Sequence, residues 1–357
     1  MDTLDLSRFT KIAFPGLGIE EFTLDRVAFE LFGKEIYWYG VIIMLGIIAA
    51  FVHAYLRGKR EGVTFDDILD MGLYTVVFGV IGARLYYVLF SLKDHTYESF
   101  WDVIAIWDGG LAIYGGVICG CTALVVTALI KKINPLKVMD MVGPGVMLAQ
   151  AIGRFGNFVN GEAFGGVVDE GHPLYFMRMG VMSQFSQRYC KEQGLSTIDM
   201  HYYHPTFLYE SLWNIVGFVT ITLLYRKKKF NGQVALMYFA WYGFGRMFIE
   251  MLRTDSLYIG TSNVRVSVVV AAVGFVVSVG LMIAGFILTH KGKFSKWLEV
   301  KWATPVPAEG KAPVGETTEE MPEEMPEEDA SAVDTPEEDS PAEPDEATPK
   351  APTDTQE

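Results

Sequence analysis

The amino-acid sequence predicts an all-α integral membrane protein of about seven transmembrane helices, with a small external cap and a disordered acidic cytoplasmic tail. Three observations carry this reading: apolar runs of spanning length recur along the chain, basic residues gather in alternate connections, and the acidic residues are concentrated at the C-terminus.

Half of the 357 residues are hydrophobic, yet the chain also holds 43 acidic and 29 basic side chains, so the charge must be segregated. From residue 305 onward there are 18 acidic residues against Lys311 and Lys350, together with 10 of the 15 prolines and no aromatic residue. Such a segment cannot bury a core and is expected to be disordered. It contributes a net charge of -16, so the formal total of -14 leaves the remaining body at +2. Nothing in that balance suggests a nucleic-acid partner.

The predicted spans are 36–56, 68–92, 103–130, 138–159, 206–225, 233–252 and 264–289. Glycine or charge interrupts the second, fourth and sixth, as an enclosed backbone tolerates, which leaves a six-span count with a re-entrant segment as the alternative. The short connections carrying Lys59 and Arg60, Lys131 and Lys132, Arg226 to Lys229, and Lys291 all fall on one side, which the positive-inside rule makes cytoplasmic. The N-terminus is then outside. This divides the chain into an external or interfacial segment 1–35, a membrane domain 36–292 with a cap at about 162–204, and a cytoplasmic segment 293–357. No cleavable leader is expected, because residues 1–30 lack a basic start followed by an apolar stretch. The three cysteines show neither a disulfide framework nor metal spacing, and no metal or cofactor is expected.

The informative residues are charges inside apolar runs. An arginine at the centre of a lipid-facing helix costs about 2.5–3.5 kcal/mol on insertion scales, so it normally faces a bundle interior and marks a function. Arg84 lies in the second predicted span, Arg154 in the fourth, and Arg246 and Glu250 in the sixth, with Arg253 just beyond it. A spacing of i, i+4, i+7 places the last three on one helical face, with the carboxylate between two guanidiniums. The arginines outnumber the obvious buried acids, and surplus positive charge in a site of low dielectric calls for an anion. In a membrane that anion is a lipid phosphate, which a guanidinium fork grips in bidentate fashion.

Segment 153–165, Gly-Arg-Phe-Gly-Asn-Phe-Val-Asn-Gly-Glu-Ala-Phe-Gly, adds Asn157 and Asn160 to the row begun by Arg154. Two glycine pairs flank Tyr114 in segment 107–116 and predict a broken backbone lining a cavity. His204 and Pro205 open the fifth span, with Glu210 just inside it. An anion transporter would also use broken helices and buried arginines, but no pattern repeats between 36–159 and 206–289. A metal-dependent lipid phosphotransferase would need acid clusters, and Asp66, Asp67 and Asp70 stand alone beside a basic loop.

Together these segments resemble the bacterial prolipoprotein diacylglyceryl transferases from about residue 27 to about residue 290. The run 153–165 is similar to that family's signature. Further matches lie in Tyr37 to Gly40, in Gly82 to Arg84 with Tyr87, in 204–210, and in Tyr242 and Gly243 followed by Arg246, Glu250, Arg253 and Asp255. The resemblance implies transfer of a diacylglyceryl group from phosphatidylglycerol to the lipobox cysteine of an exported preprolipoprotein, at a bacterial cell membrane and among its lipids. It implies two essential arginines, Arg154 and Arg246, and a lipid-binding set of Tyr39, Arg84, Tyr87, Asn157, Asn160, Glu162, Gly165, His204, Glu250 and Arg253. Where many members carry a histidine, this chain has Tyr114. The base that takes the thiol proton stays open among Glu210, Glu162, His204 and Tyr114.

Overall fold

A computed structural model describes residues 5–92, 96–256, 258, 264–292 and 297–301. The acidic tail expected to be disordered lies outside the described residues.

Among the described residues seven long helices form the body: α1 (Trp38–Glu61), α2 (Phe65–Ser91), α4 (Ile113–Ile130), α5 (Pro135–Asn160), α7 (Thr206–Leu224), α8 (Gln233–Leu252) and α9 (Val266–His290). The short helices α3 (Phe100–Ile104) and α6 (Gln184–Gln193) lie in connections. Among the described residues, five helices are long and apolar enough to cross a membrane: α1, α2, α4, α7 and α9. At about 1.5 Å per residue the 24 residues of α1 reach about 36 Å, longer than a hydrocarbon core of roughly 30 Å. Helices α5 and α8 have the length, with 26 and 20 residues, but more polar side chains.

Local chemistry sets the helix ends. Gly62 closes α1 in the left-handed conformation at φ 70°, and Thr64 caps α2 by accepting the Asp67 N–H at 3.2 Å. Pro135 opens α5 behind the Asn134 cap, and Gly161 closes it at φ 62°. Helix α5 packs against α1, α7 and α8, while α2 pairs with α4 and α8 with α9. The α2–α4 crossing depends on Gly82 and Gly115, where a Cβ on either would fall within 3 Å of the other's carbonyl oxygen.

The all-α expectation is corrected by six strands among the described residues. β1 (Phe9–Phe14) lies between β2 (Ile19–Asp25) and β5 (Met179–Met182), with β6 (His201–Tyr203) beyond β5, all antiparallel. β3 (Val27–Leu31) and β4 (Lys34–Tyr37) form a separate hairpin. The N-terminal segment and the loop after α5 therefore build one cap. Its core of Ile12, Phe14, Phe164, Met179, Val181 and Tyr203 rests on Phe207 at the start of α7. The predicted span 103–130 is also corrected. Gly109 and Gly110 take φ of 86° and 70°, so only Ile113–Ile130 is a long helix, preceded by α3 and a 3-10 turn at Ile106–Asp108.

At the opposite end of the bundle, Lys228 reaches Glu61 at 2.7 Å and Asp140 at 3.2 Å, with all three side chains sealed from solvent. Tyr225 donates to Glu61 at 2.9 Å, and the Gly232 and Ala235 N–H groups donate to Asp140 at 2.9 Å each. This cluster ties the end of α1 and the start of α5 to the α7–α8 turn.

Candidate functional site: a paired-arginine centre beneath the cap

Arg154 sits near the C-terminal end of α5, Glu210 in the second turn of α7, and Arg246 in α8. The three converge. Arg154 Nη2 donates to Glu210 Oε1 at 2.6 Å and Arg246 Nη1 to Glu210 Oε2 at 2.9 Å, so each carboxylate oxygen holds a guanidinium from a different helix. The other side of Arg246 meets Glu250 Oε2 at 2.5 Å, one helical turn onward.

The carboxylate between two arginines is therefore Glu210, which corrects the expected placement of Glu250 between Arg246 and Arg253. Helix α8 ends at Leu252, and Arg253 is already extended at ψ 147°, which takes it off the helical face. Arg253 instead grips Asp255 at 2.8 and 3.0 Å. Glu250 accepts from Ser256 at 2.8 Å, and Arg265 donates to its main-chain carbonyl. Each of these guanidiniums has a carboxylate or carbonyl partner that balances its hydrogen bonding. The expected excess of arginines over sealed carboxylates stands, because Glu210 and Glu250 are sealed beside Arg154, Arg246 and Arg253, and Asp255 keeps 48% of its side-chain surface.

Exposure breaks that balance. Glu210 and Glu250 retain 3% and 2% of their side-chain surface, against 19% for Arg154 and 14% for Arg246. The acids are sealed, and the side-chain surface this cluster leaves open belongs to the two arginines. Such a surface suits an anion with several acceptor oxygens.

Around this pair, Arg154 donates to Asn157 Oδ1 at 3.3 Å, and Asn157 and Asn160 both donate to Glu162 Oε1, at 2.9 and 3.2 Å. The ring of Tyr39 lies against Gly156, where any Cβ would come within 3 Å of it. Segment 161–166 is stitched on three sides. Ser183 donates to the Gly161 carbonyl at 2.7 Å, Gly165 N–H to the His204 carbonyl at 2.9 Å, and Gly166 N–H to the Leu252 carbonyl at 3.0 Å. Thr206 donates to the Ala163 carbonyl, and Thr254 N–H to that of Phe164 at 3.3 Å. His204 lies in the same layer, with Nδ1 3.3 Å from the Tyr209 hydroxyl and its ring against His172. Burial, reinforced by His172, pushes its imidazole below the ordinary range.

Arg84 serves a different purpose. Its guanidinium donates to the carbonyls of Asp102 (2.6 Å), Val103 (2.8 Å), Gly109 (2.7 Å) and Gly110 (3.1 Å), and it stands 5.7 Å from the Tyr87 ring centre. It clamps the α2–α4 connection. Tyr114, in the first turn of α4, stacks obliquely near Tyr86. Among the described residues no hydrogen bond or ion pair links Arg84, Tyr87 or Tyr114 to the Arg154–Glu210–Arg246 chain. The bridging role of Glu210 escaped the sequence because it depends on α5, α7 and α8 meeting; its one sequence signal was a carboxylate at membrane depth opposite two arginines.

Fold and site together describe a helical membrane protein in which two arginines from separate helices share one buried carboxylate. A profile of the prolipoprotein diacylglyceryl transferases matches residues 26–284. The chain belongs to that family. It is 40% identical over 260 residues to the phosphatidylglycerol–prolipoprotein diacylglyceryl transferase of Clostridium kluyveri, covering 73% of this chain and 96% of that protein. It is 37% identical over 290 residues to that of Staphylococcus aureus, covering 81% and 99%, and 40% identical over 263 residues to that of Streptococcus uberis, covering 73% and 95%.

Proposed function

We propose that this protein transfers the diacylglyceryl group of phosphatidylglycerol to the lipobox cysteine of preprolipoproteins in a bacterial cell membrane, the lipid-attaching step of lipoprotein maturation. The cysteine sulfur attacks the glyceryl carbon that bears the phosphate, a C–S bond forms, and the C–O bond breaks. Glycerol phosphate leaves with the electron pair, and the thiol proton passes to a base. Charge grows on the departing phosphate, so donors that strengthen their hold there lower the barrier. Arg154 and Arg246 take that role, and their field also favours the thiolate. The observation that carries this reading is the double grip on Glu210, which fixes two guanidiniums from separate helices side by side on arginines that are the exposed members of the cluster.

Glu210 is read as the positioning carboxylate, since both of its oxygens already accept charged donors. Asn157, Asn160, Glu162 and Gly165 shape the wall beside Arg154, with Tyr39 and His204 at its edge. Glu250 and Arg253 brace the α8 side, and Arg84, Tyr87 and Tyr114 hold the neighbouring connection against the lipid. Helices α5 and α8 complete a seven-span bundle, with the polar sides of both turned inward. The N-terminus and cap lie outside and the acidic tail in the cytoplasm, following the basic connections.

The test is mass spectrometry of a lipobox peptide after incubation of the purified protein with phosphatidylglycerol. A diacylglyceryl adduct on the cysteine is expected. An unmodified peptide, with the protein folded and the lipid intact, would overturn the proposal.

A further inference from the structure

The hairpin of β3 and β4 runs directly into the membrane domain, because Tyr37 closes β4 and Trp38 opens α1. Cross-strand pairs Phe29 with Ile36, Glu30 with Glu35 and Leu31 with Lys34 define its two faces. One face carries Glu30, Glu35 and Tyr37. It is turned to the cap: Glu35 lies 3.6 Å from Arg8, which also grips Asp25 at 2.9 Å, and Tyr37 donates to Glu35 at 2.8 Å. The main-chain bond from Trp38 N–H to the Arg26 carbonyl, at 2.9 Å, fixes the hairpin's seating.

The other face is apolar, apart from Lys34. Phe29 and Leu31 are about half exposed, and Phe32 at the tip is 97% exposed. The two-residue turn needs positive φ at both positions, and Phe32 and Gly33 supply 50° and 74°. Asn, Asp or Gly ordinarily takes the first of these positions, and a bulky ring there is unusual. The chain thus holds a phenylalanine in a disfavoured conformation where it is almost fully exposed, beside two more exposed apolar side chains.

We propose that this face is a membrane-interface contact, laid on the leaflet at the N-terminal end of α1 with Phe29, Leu31 and Phe32 at the boundary of headgroups and acyl chains. Continuity identifies the occupant. The patch leads through Trp38 and Tyr39 into the exposed apolar side of α1, at Ile43, Met44, Leu45, Ile47 and Ile48. Aromatic residues at a helix entry belong to the interfacial belt of a membrane protein, and an amphipathic element beside them seats its apolar face in the same layer. Lys34 has a stem long enough to lie along that face while its ammonium stays among the headgroups. The two glutamates point the other way, toward the cap.

The experiment places the photoreactive analogue p-benzoylphenylalanine at position 32, or at position 30 as the control, in the full-length protein. The protein is reconstituted in vesicles of phosphatidylethanolamine and phosphatidylglycerol. Both positions are exposed on a turn or strand, so folding is preserved, and lipid adducts are counted by mass spectrometry after illumination. Severalfold more lipid adduct at 32 than at 30 is expected. Equal labelling at the two positions, or adducts at 32 that run to protein instead of lipid, would overturn the proposal. The readout is independent of diacylglyceryl transfer.

Discussion

Buried ion clusters lie at both ends of the helix bundle, built from similar chemistry and differing in one respect. Lys228, Glu61 and Asp140 show no exposed side-chain surface, and main-chain N–H groups complete the coordination of Asp140. Arg154, Arg246, Glu210 and Glu250 bury their acids nearly as well but leave part of each arginine side chain open. A sealed cluster can only hold helices together, whereas one with an open cationic face can also receive an anion. Buried charge by itself therefore does not identify a site; which sign remains accessible does.

The most disruptive test of this contrast is Lys228→Met, which leaves Asp140 buried without its cation and Glu61 with only Lys137 at 3.6 Å, and costs about 3–5 kcal/mol of stability. Thermal unfolding in detergent should show the loss, while turnover per folded molecule stays near normal. Arg246→Lys should behave the opposite way. Replacing a fork by a point charge is expected to lower transfer by about 10²–10³, the usual cost of one transition-state donor, with an unfolding midpoint near that of the parent. If the two variants gave the same pattern, the distinction between the two ends would fail.

Glu210→Gln sharpens the comparison within the open cluster. The amide can accept from one arginine but turns an N–H toward the other, so a charge-assisted bond worth about 1.5–3 kcal/mol is lost and transfer falls roughly 10- to 100-fold. The fall should appear in kcat more than in KM, because the arginines remain present but lose their spacing.

The smallest expected effect concerns pH. His204 has its folded value held below the ordinary 6.5, so the unfolded chain binds a proton that the folded cap resists. Its contribution to stability is complete above 6.5 and is lost as pH falls through the lower folded value. Protection of the β6 amides, after correction for the intrinsic pH dependence of exchange, should fall as pH drops below about 6.5 in the parent and change less in His204→Gln.

The helices were legible because apolar runs of twenty residues leave few alternatives: predicted 233–252 and 206–225 fall within a residue of α8 and α7. The strands were not. β1 and β5 are six and four residues long and lie some 170 residues apart, so neither carries a usable signal before it finds the other. The run 103–130 misled because hydropathy cannot separate an interfacial stretch containing Trp107 from a span, and only the backbone turn at Gly109 and Gly110 divides them. Arg154, Arg246 and Glu210 were visible as misplaced charge, but their pairing was not, since Arg253 leaves the helical face one residue after α8 ends. Lys228 was read as one of a solvated basic run, and only the closure of α1 and α5 over it shows otherwise.

Segment 161–166 joins the exit of α5, just beyond Arg154, to the exit of α8, just beyond Arg246, through the Leu252 carbonyl and the Gly165–Arg253 bridge. It works as a caliper. The gap between the two guanidiniums is set when the chain folds, so under the proposed function each new headgroup would meet a jaw already at its working width, with no need to bring the helices together again at every turnover.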